Sequence, residues 1–266
     1  MTVPIFDSLT HPCLSSVWDY ESVEIPASFE NLILQMKQNN YKGGLAVGLM
    51  GIGNYSEKEF IKRVREYEEF LFPISPISLD EFTCVKEIVK KVEGLVELGY
   101  IGVKLHPRIA NFDLTHKFLA DTIKICNDHM LIPLLCTYYY SSNPHVQKNN
   151  SGYLIELLLK LDKEKIILMH SGGIKLLETI EIARAFKWIL LDLSFTILKY
   201  KGSSIESDIL YAMNSFDRRI CIGSDHPSYT PLQLRKEFDS LCKHISEEKA
   251  INIGYSNICS YLGIAL

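Results

Sequence analysis

The chain has 266 residues, 47% of them hydrophobic and 23% charged, the make-up of a soluble globular protein with a sizeable core. A net charge of −4 gives no electrostatic basis for holding nucleic acid or an anionic membrane surface, and no apolar run is long enough to span a bilayer. Seven scattered cysteines without a C-x-x-C pair argue for reduced thiols rather than a disulfide framework or zinc ribbon; with a start that lacks a signal-peptide pattern, they predict a cytoplasmic protein.

The first run, "PIFDSLTHP" over residues 4–12, enters on Ile5 and Phe6 and then sets Asp7, Leu9 and His11 at period two. An extended strand would place those three on one face. From there short β-rich runs alternate with amphipathic stretches. "SFENLILQMKQN", with Ser28 as its cap, leads to "GGLAVGLM". "SEKEFIKRVREYEEF", with Ser56 and Glu59 spaced as a capping box, leads to "FLFPISPI". "DEFTCVKEIVKKVEGLVEL", started by Asp80, leads to "YIGVKLH", and "DLTHKFLADTIKICNDH" to "IPLLCTYY". The polar loop "SSNPHVQKNNSG", residues 141–152, is placed to cover a site. "GYLIELLLKLD" precedes "KIILMHS", "IKLLETIEIARAF" precedes "WILLDLS", and "SIESDILYAMNSF" precedes "ICIGSDH". "PLQLRKEFDSLCKH" and a last helix over residues 247–261 close the chain.

The eight runs are mostly apolar throughout, as strands covered on both faces must be. Eight strand–helix units in this length predict an α/β protein, a (β/α)8 TIM barrel in a single domain over residues 1–266; an open doubly wound sheet is the alternative. Barrel active sites form where the strands end, and polar residues gather there in this chain. The first strand ends in His11, the fourth in Lys104, His106 and Arg108, and the fifth in Thr137 and Tyr138–Tyr140. The sixth ends in His170, the seventh in Asp192 and Ser194, the eighth in Asp225 and His226. Singly each has a structural explanation, and Asp192 is as well suited to anchoring a loop as to chemistry. Their convergence on one rim is what points to a site.

"GVKLHPR", "ILMHSGG" and "CIGSDHP", in this order, resemble the amidohydrolase-related (amidohydrolase-2) family of the metal-dependent hydrolase superfamily. "IFDSLTH" fits the family's opening D-x-H-x-H in register, and "NICSYLGI" its closing helix, so the likeness runs over the whole chain. The resemblance implies a barrel in which a divalent metal, zinc or manganese, activates water and a strand-eight Asp takes the proton. Asp225 and His170 match the strand-eight and strand-six residues, and are the expected catalytic pair; His11 matches the second opening His. If a metal is bound, His11, His170 and Asp225 would hold it. Leu9 stands where the first opening His belongs and Thr137 where the strand-five His does, with Cys136 its soft neighbour. Leu cannot ligate and neutral Thr is a poor zinc donor, so two of four ligands are gone.

The reading that follows is a hydrolase of a small carbonyl compound (lactone, ester, amide or related carboxylate) that activates water without a tightly bound metal. Asp225 would be the base, His170 or His106 would steady the carbonyl oxygen, and Lys104, His106, Arg108 and Tyr138 would hold an anionic small-molecule substrate. Its rivals are a conventional metal-dependent amidohydrolase or decarboxylase with a site rebuilt from His11, His106, His170 and Asp225, and a non-catalytic binding barrel. A Schiff-base lyase using Lys104 needs a desolvated lysine, which no sequence pattern reveals.

Overall fold

The computed structural model describes residues 3–20, 22–140 and 149–265. Burial explains its strands: β1 (Ile5–Thr10) is buried at every residue, and the later barrel strands almost throughout. A hairpin, β2 (Val17–Tyr20) with β3 (Val23–Pro26), interrupts the barrel order after β1. The remaining barrel strands are β4 (Tyr41–Val47), β5 (Leu71–Ile77), β6 (Gly102–Leu105), β7 (Ile132–Cys136), β8 (Ile166–Met169), β9 (Ile189–Asp192) and β10 (Ile220–Cys221). They form one parallel sheet in the order β1-β4-β5-β6-β7-β8-β9-β10. Hydrogen bonds from Ser8 N to the Ile222 carbonyl (3.0 Å), Asp225 N to Leu9 (2.9 Å) and His11 N to His226 (2.8 Å) bring the last strand back to the first. The predicted (β/α)8 barrel is the fold.

Alternation along the strands sorts side chains between two cores. Phe6, Leu45, Ile74, Leu134, Ile167 and Leu190 pack inside the barrel, while Ala46, Val103, Leu105, Leu135, Leu168 and Leu191 face the helices. The closing helix runs from Glu247 to Leu262 through a π-turn at Asn252–Ser256, and its Ile258 joins the inner core. The Tyr261 hydroxyl donates to the Trp188 carbonyl (2.6 Å) and accepts from Ile166 N (2.7 Å), where β9 and β8 begin, which shuts the end of the barrel away from the site.

Three local expectations change. Asp7 does not share a face with Leu9 and His11. The three steps of β1 from Asp7 to Thr10 span the two steps of β4 from Gly44 to Ala46, and this irregularity breaks the period of two. Asp7 turns to the helix side, where a Cβ on Gly44 would meet Asp7 Cβ at 3.0 Å and Met36 Cε at 2.9 Å. Leu9 packs in the inner core. Asp80 caps no long helix: it sits in a single 3-10 turn, Leu79–Glu81, and the helix starts at Val85. Ser28 does cap, accepting from Asn31 N, whereas Ser56 stands at its helix start without a side-chain bond. Of the loop predicted to cover the site, residues 141–148 lie outside the described residues; Asn150 caps the helix Ser151–Leu158.

Candidate active site

The strand ends surround a cleft of about 230 Å³ lined by His11, His106, Arg108, His170 and Asp225 together with Trp18, Tyr20 and Phe195. His11 places Nδ1 2.9 Å from the Val47 carbonyl, which can only accept, so that nitrogen carries the hydrogen. Its Nε2 lies 3.4 Å from Asp225 Oδ1, making the pair a place where one proton is shared. The Asp225 side chain is only 14% exposed. Burial alone would raise its carboxyl; the His11 hydrogen bond and the nearby His170 and Lys104 charges instead hold it well below the usual carboxylate range. Gly223 makes this possible: a Cβ there would come within 2.7 Å of Ser8 Oγ and 2.8 Å of Leu9 N.

His170 follows β8 with φ 64°, and Ser171, Gly172 and Gly173 continue at positive φ. Asp192 fixes this turn, accepting from His170 N (3.2 Å), Ser194 N (3.1 Å) and the hydroxyls of Ser8 and Ser194. Asp192 is therefore an anchor, the simpler of its two sequence readings. His170 Nδ1 donates to the Ser194 carbonyl at 3.0 Å, which leaves Nε2 for the cleft. Burial opposes its protonation, yet Cys136 and Asp225 raise its pKa above the ordinary value.

On β6, Lys104 points inward between the helix-facing Val103 and Leu105. It is 1% exposed and its Nζ has no hydrogen-bond partner among the described residues. Burial lowers its pKa. His106 caps the short helix Pro107–Ala110, accepting from Ile109 N at Nδ1 (3.3 Å), so Nε2 is a donor. Burial pushes this imidazole down to about 4. The Arg108 guanidinium lies over the Tyr138 ring, 4.9 Å from its centroid. Of the residues singled out at the strand ends, His11, His106, Arg108, His170 and Asp225 line one cleft, while Lys104 and Tyr138 are not among its lining and Tyr138 packs against Arg108.

Two contributions escaped the sequence reading. Trp18 and Tyr20 reach the cleft from the β2–β3 hairpin, with the Trp18 ring 5.4 Å from that of His11. The short runs "VWDY" and "VEIP", two residues apart in the sequence, were the available signal. Cys136, noted only as a neighbour of a missing ligand, stands among His106, His170 and Arg108.

No protein-family model and no curated protein matches the sequence. Solved structures do match. A TIM-barrel protein from Bordetella bronchiseptica aligns over 89% of this chain and 84% of its own at 19% identity, with TM-score 0.75. A probable 2-pyrone-4,6-dicarboxylic acid hydrolase from Acinetobacter baumannii, with citric acid bound, aligns over 99% and 100% at 16% identity, TM-score 0.69. The chain shares the TIM-barrel fold of these proteins. A 5-carboxyvanillate decarboxylase from Novosphingobium aromaticivorans, complexed with manganese and a nitrobenzoic acid, aligns over 87% and 79% at 10% identity, TM-score 0.61. The resemblance read from the strand-end motifs is matched by these neighbours at the level of fold.

The donor set here does not fit a tightly bound divalent ion. Leu9 is apolar and buried, and the Thr137 hydroxyl is committed, donating to the Met169 carbonyl (2.7 Å) and accepting from Gly172 N (3.0 Å). Among the described residues no three His, Cys, Asp or Glu side chains are grouped to hold a metal, which includes the set His11, His106, His170 and Asp225. No helix among the described residues is long and apolar enough to cross a membrane.

Proposed function

We propose that this barrel is an amidohydrolase-like hydrolase that adds water to the carbonyl of a small lactone or ester carrying a carboxylate, without a tightly bound metal. The observation that carries the reading is the His11–Asp225 pair facing Arg108 and His170 across one cleft. Arg108 pairs with the substrate carboxylate through its planar fork of donors. His170, or His106 through Nε2, donates to the carbonyl oxygen and stabilises the charge that develops there. Water on the other side of the carbonyl carbon hydrogen-bonds to Asp225, which stays ionised across the physiological range and takes the proton as the new C–O bond forms. His11 Nε2, 3.4 Å away, receives that proton and passes it to the leaving oxygen as the C–O bond of the lactone or ester breaks, which resets the pair for the next turnover. The Trp18–Tyr20 hairpin walls the cleft and limits bulk water.

The test is hydrolysis of a panel of carboxylate-bearing lactones and esters by protein dialysed against a chelator. Turnover that survives the chelator and is lost in Asp225→Asn supports the reading. Activity that appears only on adding zinc or manganese would contradict it, as would no hydrolysis of any panel member.

A second reading is favoured by one observation. Among the described residues Lys104 Nζ has no hydrogen-bond partner, and its burial lowers its pKa, which favours the amine that forms a Schiff base with a carbonyl. Borohydride trapping with a panel of oxo-acids tests it: a reduced adduct on Lys104 supports the lyase, and its absence removes it.

A further inference from the structure

The turn that follows β9 has a backbone that its residue type does not suit. Phe195 stands at φ 62° and ψ −54°, and Thr196 N donates to the Ser194 carbonyl at 2.6 Å across it. This is a γ-turn of the positive-φ hand, the rare and strained one of the two. A Cβ disfavours it, and glycine alone adopts it freely. The residues on either side of Phe195 grip His170 at opposite ends. The Ser194 carbonyl accepts from its imidazole at Nδ1 (3.0 Å), and the Thr196 hydroxyl donates to its backbone carbonyl (2.6 Å). Ser194 and Thr196 are both fully buried, and they keep these places only while the chain turns sharply between them. The Phe195 ring lines the cleft, edge-on to Tyr138 (centroids 5.3 Å apart) and His170 (5.8 Å) and tilted against Tyr229 (5.8 Å). Lys199 Nζ lies over it, 5.1 Å from the centroid. These contacts hold a backbone that a phenylalanine would not adopt alone.

We propose that Phe195 is a positioning residue for His170. Packing of its ring holds the strained turn, and the turn sets the Ser194 carbonyl and the Thr196 hydroxyl against His170. The imidazole thereby keeps its hydrogen on Nδ1 and presents Nε2 to the cleft, because the bond made by one ring nitrogen decides the state of the other. A relaxed turn would carry the Ser194 carbonyl away from Nδ1 and free the ring to exchange tautomers. That His170 acts on a substrate carbonyl rests on the hydrolytic reading; that Phe195 aims it does not.

Phe195→Ala and Phe195→Gly test this as a pair. Both remove the ring, and they differ by one methyl group and in their tolerance of positive φ. Alanine keeps the strain without the packing that holds it, whereas glycine takes the turn without strain. Imidazole nitrogen shifts are recorded on ¹⁵N-labelled full-length protein at a pH that leaves the rings neutral, with His170 assigned by its loss in His170→Gln. Wild type and Phe195→Gly should show His170 as one tautomer with the hydrogen on Nδ1, and Phe195→Ala the averaged shifts of a mixture. Phe195→Gly should also melt above Phe195→Ala, the reverse of the usual order for these two residues. With a substrate from the lactone and ester panel, KM should rise by a similar factor in both, since both lose the same wall of the cleft. In Phe195→Ala kcat should fall a further tenfold, on the order expected for a misplaced group. The proposal is overturned if both variants keep the Nδ1 tautomer, if both lose it, or if Phe195→Gly is the less stable of the two. A panel without a substrate removes the hydrolytic reading and leaves the nitrogen shifts and melting order to decide the role of Phe195.

Discussion

His11 and Asp225, from the first and last strands of the barrel, meet with Nε2 3.4 Å from Oδ1, and the seam that closes the barrel holds them there. The backbone bonds from Asp225 N to Leu9 O and from His11 N to His226 O flank the pair on both sides. The geometry of the pair is thus set by barrel closure rather than by either loop alone.

Asp225→Asn should therefore remove a proton acceptor with little disturbance. Asn tolerates the left-handed backbone that Asp225 adopts at φ 56°. With a substrate in hand, kcat should fall on the order of 10² to 10⁴-fold. Tm should shift by a few degrees at most, and His11→Gln should lower kcat less than Asp225→Asn. Near-normal turnover in Asp225→Asn would show that Asp225 only anchors the seam.

The barrel was legible in the sequence because strands buried on both faces must be apolar throughout, and eight such runs alternate with helical stretches. The polar strand ends were legible because a packed core would not choose Lys104, His106 or Asp225. The face of Asp7 was not, because the irregularity between Asp7 and Thr10 leaves no mark in residue types. Nor were the surroundings of Cys136, which the closed barrel sets beside His106, Arg108 and His170 from two other strands.

Asp192→Ala should behave in the opposite way to Asp225→Asn. It removes the acceptor of five buried donors, two hydroxyls, two backbone N–H groups and the weak Cys221 thiol, and each unsatisfied hydroxyl or N–H costs about 1–3 kcal/mol. We expect a Tm loss on the order of 10 °C for a chain of this size. Any fall in activity should track the fraction unfolded or the displacement of His170. A variant as stable as wild type would contradict the anchoring role.

Lys104→Met should separate stability from function. A buried ammonium without a partner is costly, and Met fills similar space with no charge to desolvate. The variant should melt at the wild-type temperature or above it. Binding of an anionic inhibitor, followed by calorimetry, should weaken at least tenfold. Unchanged inhibitor binding would place Lys104 outside substrate recognition.

Asp7 gives the pH-dependent prediction. It is fully buried, and burial raises its carboxyl from an ordinary 3.8 to about 7, against the lowering hydrogen bonds from Ser224 and Leu9. Between pH 4 and pH 7 the folded chain keeps a proton here that the unfolded chain has released. Stability from this group therefore falls as pH rises through that window and is level above it. His106 and His226, both pushed down to about 4 by burial, act with the other sign: the unfolded chain gains their protons first as pH falls below about 6.5, so stability drops toward acid. The wild-type profile mixes these opposing slopes, and the difference between wild type and Asp7→Asn isolates one of them. Asn keeps the Oδ1 acceptor for Ser224 N (2.8 Å) and Leu9 N (3.3 Å) but cannot ionise. Urea unfolding of both proteins at pH 4, 6 and 8 should show the variant gaining on wild type as pH rises. The gain should total a few kcal/mol, since one pKa unit corresponds to about 1.4 kcal/mol. A difference that stays constant from pH 4 to pH 8 would mean that Asp7 is ionised in the folded barrel as readily as in the unfolded chain.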